Sequence, residues 1–279
     1  MEGIVILLVL AAAVMHAAWN AVVKRAHDPL VMQAFIIAVS AVLALPVALA
    51  LPLPQAQTWG YILTGVTVHG CYFLLLLRAY RLGDFSQVYP AARGTGPLVV
   101  AGVAAMFLGE SLSAAQLAGV ALVSLGIMSL ALTARGSGGR KALLAALAVG
   151  LVIATYTVID GLGARSGEEP YAFIAWLLVL SAFPIGGIAL WRRGLRGAAA
   201  AMRRQLRPGL LAGAICGLAY ALVLWAYSQG TLAAIAALRE TSVVFAAAVG
   251  ATLFGEPFGA RRVLSAIVVA AGVIVLNAG

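Results

Sequence analysis

Long apolar runs separated by short polar clusters set the pattern of this chain. Ten such runs recur, at residues 3–23, 30–51, 59–77, 85–109, 113–133, 142–162, 171–191, 210–227, 232–254 and 263–276. Most approach the roughly 20 residues that carry a helix across about 30 Å of hydrocarbon, so the pattern predicts an all-α integral membrane protein with ten spans. The first run follows Glu2 rather than a basic segment, and its middle, MHAAWNAVVK, is interrupted by His, Trp and Asn. It is read as a retained helix, not a cleaved signal. No connection is long enough to hold a soluble domain, which leaves binding or chemistry to the helices and short loops.

Composition agrees with the pattern. Of 279 residues, 63% are apolar and only 10% are charged, against about 25% charged in soluble domains. The net charge of +9 is distributed in a way that points to a membrane and not to nucleic acid. Lys24, Arg25, Arg78, Arg81, Arg135, Arg140, Lys141, Arg192, Arg193, Arg196, Arg203, Arg204, Arg207, Arg261 and Arg262 all fall on odd-numbered connections between runs. The even-numbered connections show only Arg165, beside Glu168 and Glu169. By the positive-inside rule the odd connections are cytoplasmic and both termini lie outside, in what is expected to be a bacterial inner membrane. Cys71 and Cys216 sit in apolar runs and are read as small buried hydrophobes, with no disulfide or metal framework.

The chain also repeats itself. Gly70, Ala79, Tyr80 and Gly83 match Gly217, Ala226, Tyr227 and Gly230 at an offset of 147 residues, and Arg93, Thr95, Gly109 and Glu110 match Arg239, Thr241, Gly255 and Glu256 at an offset of 146. Shared Leu and Ala would mean little among apolar helices; shared Arg, Tyr and Gly-Glu are specific. The offset spans five runs, an odd number, so the second copy enters the membrane from the opposite side. The expected architecture is a 5+5 inverted repeat, residues 1–134 and 141–278, with a site near the midplane between the halves.

The segments LGESLSAAQLAGVALVSLGIMSL and FGEPFGARRVLSAIVVAAGVIVL resemble the closing part of the repeat in EamA-type transporters of the drug/metabolite transporter superfamily, and HAAWNAVVK resembles their opening helix. The resemblance covers essentially the whole chain. It implies a central cavity lined by spans 1, 3, 4, 6, 8 and 9, with spans 4 and 9 near its middle. Many members of the superfamily are taken to have cytoplasmic termini, whereas the charges here place them outside.

Polar residues inside the spans are the candidates for the site. An arginine at mid-span costs about 2.5–3.5 kcal/mol on insertion scales and is expected to face the interior with a partner. Arg93 and Arg239 occupy matching positions in spans 4 and 9, and two approaching guanidiniums require an anion between them, such as carboxylate or phosphonate. Three readings stay open: both arginines hold substrate, Glu240 pairs with Arg93 as a structural bridge, or substrate and Glu240 compete for an arginine. Glu240 and Arg239 are adjacent, about 100° apart around the helix, and are not expected to face each other well. His16, Trp19 and Asn20 in span 1, His69 in span 3 and Tyr156 with Thr157 in span 6 are further cavity candidates. Tyr80 and Tyr227, matched across the repeats and near the membrane interface, are open to two readings, ordinary belt aromatics or gate and substrate contacts. Asp160, near a helix end, is expected to be solvated. Gly94, Gly96 and Gly102 in span 4, and Ala246, Ala247, Ala248 and Gly250 in span 9, are expected to permit close backbone approach, and Pro97 to kink span 4.

No metal-binding, serine-nucleophile, paired-aspartate or nucleotide motif is present. An enzyme is therefore not expected, nor any cofactor, nor ATP-driven transport by this chain alone. The leading expectation is a secondary transporter of a small anionic or zwitterionic metabolite, such as an amino acid, organic acid or organophosphonate. YPAARGTGP resembles members found with phosphonate-catabolism functions. The absence of an acid from span 1 argues against a cationic-drug exporter of the small multidrug type. The alternatives are a flippase for a lipid-linked substrate or a broad-specificity metabolite/drug exporter. Small-molecule substrate and membrane lipid are the expected partners, protons a candidate coupling ion, and a monomer or weak homodimer the expected state, since duplication supplies both halves of a pathway.

Overall fold

A computed structural model describes residues 2–83, 85–132, 139–167, 170–254 and 259–278. Arg135, Glu168, Glu169, Gly255 and Glu256, all used in the sequence argument, lie outside the described residues.

The apolar runs fold as helices because, once out of water, each backbone N–H and C=O must be satisfied within its own segment. They are α1 (Gly3–Arg25), α2 (Pro29–Ala50), α3 (Ala56–Leu82), α4 (Phe85–Phe107), α5 (Ala114–Leu132), α6 (Gly139–Ala164), α7 (Pro170–Leu180), α8 (Ala182–Arg204), α9 (Leu206–Gln229), α10 (Leu232–Glu240), α11 (Ser242–Phe254) and α12 (Ala260–Ala278). Spans 1–6 are α1–α6. Span 7 is α7 with the start of α8, span 8 is α9, span 9 is α10 with α11, and span 10 is α12.

Among the described residues nine of these units are long and apolar enough to cross a membrane by length and composition. α4 is the tenth; Arg93, its prolines and its glycines reduce its apolarity. Perimeter side chains such as Phe107 and Trp191 are 76% and 83% exposed, as a lipid-facing surface requires.

Local chemistry sets several helix ends. The Asp28 side chain accepts from the Val31 N–H, with Pro29 opening α2. Ser113 and Gln116 exchange side-chain and backbone hydrogen bonds of 3.1 and 3.0 Å, a capping box at the start of α5. The basic stretch after Trp191 is helical rather than looped. Gly194 takes φ 65°, ψ 165°, which turns α8 in its middle, and Arg193 pairs with Asp28 at 2.6 Å.

Packing follows the inverted repeat: α3 lies against α6 and α1 against α9, as equivalent pairs, while α5 lies against α12 across the pseudo-two-fold axis. The α5–α12 seam is built on glycine. A Cβ at Gly119 would lie 2.6 Å from the backbone of Leu276, and one at Gly272 would lie 2.8 Å from the Val123 nitrogen. Backbone cannot yield as a side chain can, so Gly119→Ala is expected to cost about 1–3 kcal/mol of stability. Thermal unfolding in detergent checks this; an unchanged midpoint would show that the seam is looser than its geometry.

In span 4, Gly94 meets α5 closely, its Cβ position 2.4 Å from Met128, and Gly96 meets Ile153 at 3.1 Å. Gly102 has only Met106 at 3.9 Å, an ordinary contact, so no close approach depends on it. α4 runs as one helix through Pro90 and Pro97. The interruption falls instead in span 9, at Thr241, whose hydroxyl donates 2.7 Å to the Leu238 carbonyl.

Candidate functional site

A cavity of about 1100 Å³ opens between the two repeats. Its mouth carries Lys24, Pro29, Tyr80, Arg261 and Arg262, all at or beside the odd-numbered connections. The spans expected from the resemblance, 1, 3, 4, 6, 8 and 9, all contribute wall residues, and α2 adds Gln33 and Ser40.

Arg93 and Arg239 front the cavity at 5% and 7% exposure, with Glu240, fully buried, behind them. One carboxylate oxygen, Glu240 Oε1, accepts from Arg93 Nη1 and from Arg239 Nη2, each at 3.0 Å. The contact between neighbours Arg239 and Glu240 corrects the expectation from helical spacing. The flexible guanidinium stem folds back where α10 ends, so Cβ directions do not decide the pairing. The Nε atoms of both arginines and Glu240 Oε2 have no hydrogen-bond partner among the described residues.

Arg93 Nη2 also donates to His16 Nε2. A guanidinium only donates, so that ring nitrogen is unprotonated and His16 is neutral in this arrangement. The Arg93 guanidinium lies 5.4 Å from the Tyr89 ring centroid and that of Arg239 lies 5.8 Å from the Tyr156 centroid. Trp19 stands edge-on to His16 at 4.9 Å, and Asn20 donates 2.7 Å to the His16 carbonyl. The site thus has an aromatic wall around one shared carboxylate and two cations, an excess of one positive charge within this bridge.

His69 and Tyr156 line the cavity, stacked at 4.3 Å. Thr157 is buried and faces elsewhere. Asp160 is only 1% exposed, which corrects the expectation that it is solvated: α6 continues to Ala164 and carries Asp160 inward. Its Oδ2 lies 3.1 Å from His69 Nε2 and accepts from the Tyr220 hydroxyl. Asp160 and Tyr220 were missed in the sequence. The available signal was the spacing of four between Tyr156 and Asp160, which sets both on one helical face. Cys216 is buried as expected, but Cys71 is exposed.

The opposite end of the cavity is sealed at the even-numbered connections. Arg165 donates to the Tyr227 carbonyl at 2.7 Å, to Glu110 Oε1 at 2.9 Å and to the Gly230 carbonyl. Glu110 accepts from the Leu232 N–H through both oxygens, at 3.1 and 3.0 Å. A carboxylate there caps the positive N-terminal end of α10, whose own flanking Thr231 supplies no side-chain cap. Gly109, at φ 66°, makes the left-handed turn that aims Glu110 at α10, a physical reason for the repeated Gly-Glu. Tyr227 is fully buried at this sealed end, whereas its repeat mate Tyr80 lines the mouth.

Ten spans in two inverted five-helix repeats, closed at one end and open at the other around a largely apolar cavity with a charged cluster in its wall, define a helical membrane transporter. The chain belongs to the EamA-like transporter family, whose model matches residues 3–132 and 140–278. That family is one of transporters and not of enzymes. Solved structures share the fold: a chain described only as "Crystal structure of protein" is 18% identical, with a TM-score of 0.78 over 99% of both chains. No curated protein matches.

Proposed function

We propose that the protein is a secondary transporter of a small anionic or zwitterionic metabolite, an amino acid, organic acid or organophosphonate, moved by alternating access. One observation carries this reading: Arg93 and Arg239 line the cavity as two guanidiniums that share a single carboxylate oxygen. The excess positive charge and fixed N–H geometry suit a carboxylate or phosphonate. Of the three roles open from sequence, the geometry favours one in which Glu240 holds both arginines from behind and substrate binds in front. Trp19, Tyr89 and Tyr156 supply a surface for the substrate's less polar part, and Lys24, Arg261 and Arg262 at the mouth attract anions electrostatically.

Loop charges support a cytoplasmic mouth, so the described conformation is taken as inward-facing, in a bacterial inner membrane with both termini outside. The Glu110–Arg165 cluster is then the outer gate. Exchange of conformation between the repeats would open it while closing the mouth around Tyr80. The duplicated halves support a monomer as the working unit.

The test is binding and uptake in proteoliposomes of wild type, Arg93→Gln and Arg239→Gln across amino acids, carboxylates and phosphonates. Losing one charged hydrogen bond removes about 1.5–3 kcal/mol, so each folded variant is expected to bind an anionic substrate at least about tenfold more weakly. Equal binding and uptake by both variants would return the arginines to a purely structural role.

A further inference from the structure

Beside the Arg93–Glu240–Arg239 bridge, the cavity wall holds a second polar cluster from three helices. His69 of α3, Asp160 of α6 and Tyr220 of α9 bring Nε2, Oδ2 and the phenol oxygen within mutual hydrogen-bonding distance: 3.1 Å between His69 and Asp160, 3.0 Å between Tyr220 and His69, and a Tyr220 hydroxyl donating to Asp160. Asp160 Oδ1 has no partner. Among the described residues neither lysine nor arginine pairs with Asp160; His69 is its basic neighbour. No group of metal-ligating residues is found there among the described residues.

The titratable and charged groups around the cluster come from every side of the cavity. α3 supplies His69 and Tyr72, α6 Tyr156, and α9 Tyr220 with Tyr227 nearer the sealed end. α4 supplies Tyr89 and Arg93, and α10 Arg239 and Glu240. α7 presents Leu177 to the floor behind Asp160, next to Gly65 of α3, whose Cβ position is 3.1 Å from Asp160 Oδ1. Asp160 itself does not line the cavity but His69 does, with 14% of its side chain exposed. The His69 imidazole and the Tyr220 hydroxyl, which also lines the cavity, are therefore the points of access from cavity water to the carboxylate.

Charge balance gives this placement a consequence. The arginine and carboxylate charges of the cavity floor among the described residues are Arg93 and Arg239 against Glu240 and Asp160, two of each sign. The single positive excess of the arginine bridge is the counter-charge for Asp160, with the Tyr156 ring between, 4.3 Å from His69 and 5.8 Å from the Arg239 guanidinium. An anion bound to the arginines removes that counter-charge. A buried carboxylate is costly without one, and with no lysine or arginine beside it among the described residues the replacement is a proton, taken up from cavity water by His69 or Asp160.

We propose that His69, Asp160 and Tyr220 form a proton-binding site that loads one proton with each anionic substrate, making transport a proton–anion symport. This rests on the anion reading of Arg93 and Arg239, but the site can be tested without it. Infrared spectra of the full chain in proteoliposomes, in H2O and D2O from about pH 9 to about pH 5, are expected to show a protonated carboxyl C=O band that appears on acidification. The band should be absent from Asp160→Asn and displaced in Asp160→Glu. A band unchanged in both variants, or lost only in Glu240→Gln, overturns the site.

The second arm measures uptake of inorganic phosphate and methylphosphonate with and without a pH gradient. In wild type a one-to-one symport accumulates a monoanion by up to about tenfold for each unit of gradient, acid on the side of entry. In Asp160→Asn that ratio falls to about one. Accumulation driven only by the opposite gradient, or an undiminished response in Asp160→Asn, overturns the coupling. If no anion crosses with wild type, the reading of the arginines fails, and the infrared result alone decides the proton site.

Discussion

Glu240→Ala is expected to cost about 3–5 kcal/mol, because removing one partner of a buried ion pair strands its opposite charge, and here it strands two. Arg93 and Arg239 would face each other with no shared carboxylate, since each now donates to Glu240 Oε1 at 3.0 Å. The loss should be read as a lower unfolding temperature in detergent. The variant also leaves a carboxylate-sized space between two guanidiniums, which small anions can fill. Formate or acetate at high concentration is therefore expected to restore part of the midpoint in Glu240→Ala and to shift wild type much less, since a ligand stabilises whichever state binds it. Chloride at equal ionic strength should rescue less, lacking the planar pair of acceptors. A variant as stable as wild type would show that Glu240 is not the counter-charge for the arginines. One that is unstable and indifferent to carboxylates would show that the space collapses.

Arg165→Ala should act on conformation more than on stability. Arg165 bonds the Tyr227 and Gly230 carbonyls and Glu110, and Glu110 in turn caps α10. The ties join the turn after α4 to the end of α9, across the two repeats, at the sealed end. Side-chain exposure of 30% for Arg165 and 10% for Glu110 moderates their strength. Even so, a loss of about 1.4–2.7 kcal/mol would raise the open-to-closed ratio of this end about 10- to 100-fold. The measurement uses Ala233→Cys, a position fully buried in the first turn of α10, with Cys71 and Cys216 replaced. Labelling by a membrane-impermeant thiol reagent from the side of the even-numbered connections should quicken in Arg165→Ala. An unchanged labelling rate would mean that packing alone closes this end, and Glu110→Gln should then be equally silent.

Much of the architecture was legible because its causes are local. A span is a property of about 20 consecutive residues, and each polar turn that ends one is written beside it. The duplication was legible because Arg, Tyr and Gly-Glu are rare inside apolar helices, so their recurrence at 146 and 147 residues carries information that leucine does not. The odd number of spans in the offset then gave the inversion. Loop arginines marked one side of the protein, and the structure sets the cavity mouth at that side. His16, Trp19, Asn20, His69, Tyr80, Tyr156, Arg93 and Arg239 could be nominated because a polar group in an apolar span needs somewhere polar to face, and all eight line the cavity.

What folding decided was the pairing. Arg93 meets Glu240 across 147 residues and His69 meets Asp160 across 91, and nothing in either segment alone names its counterpart. Helical spacing argued against Arg239 with Glu240, yet a long guanidinium stem at a helix end bends back to a carboxylate that is already holding Arg93. Asp160 looked solvated from its distance to the end of a run, and only the packing of α3 and α9 against α6 shuts it in. Tyr80 and Tyr227 are equivalent in the sequence and opposite in the structure, one at the mouth and one sealed. The two tyrosines match across the repeats, but one stands at the open end of the cavity and the other at the sealed end, so their difference in burial is set by tertiary packing and not by local sequence.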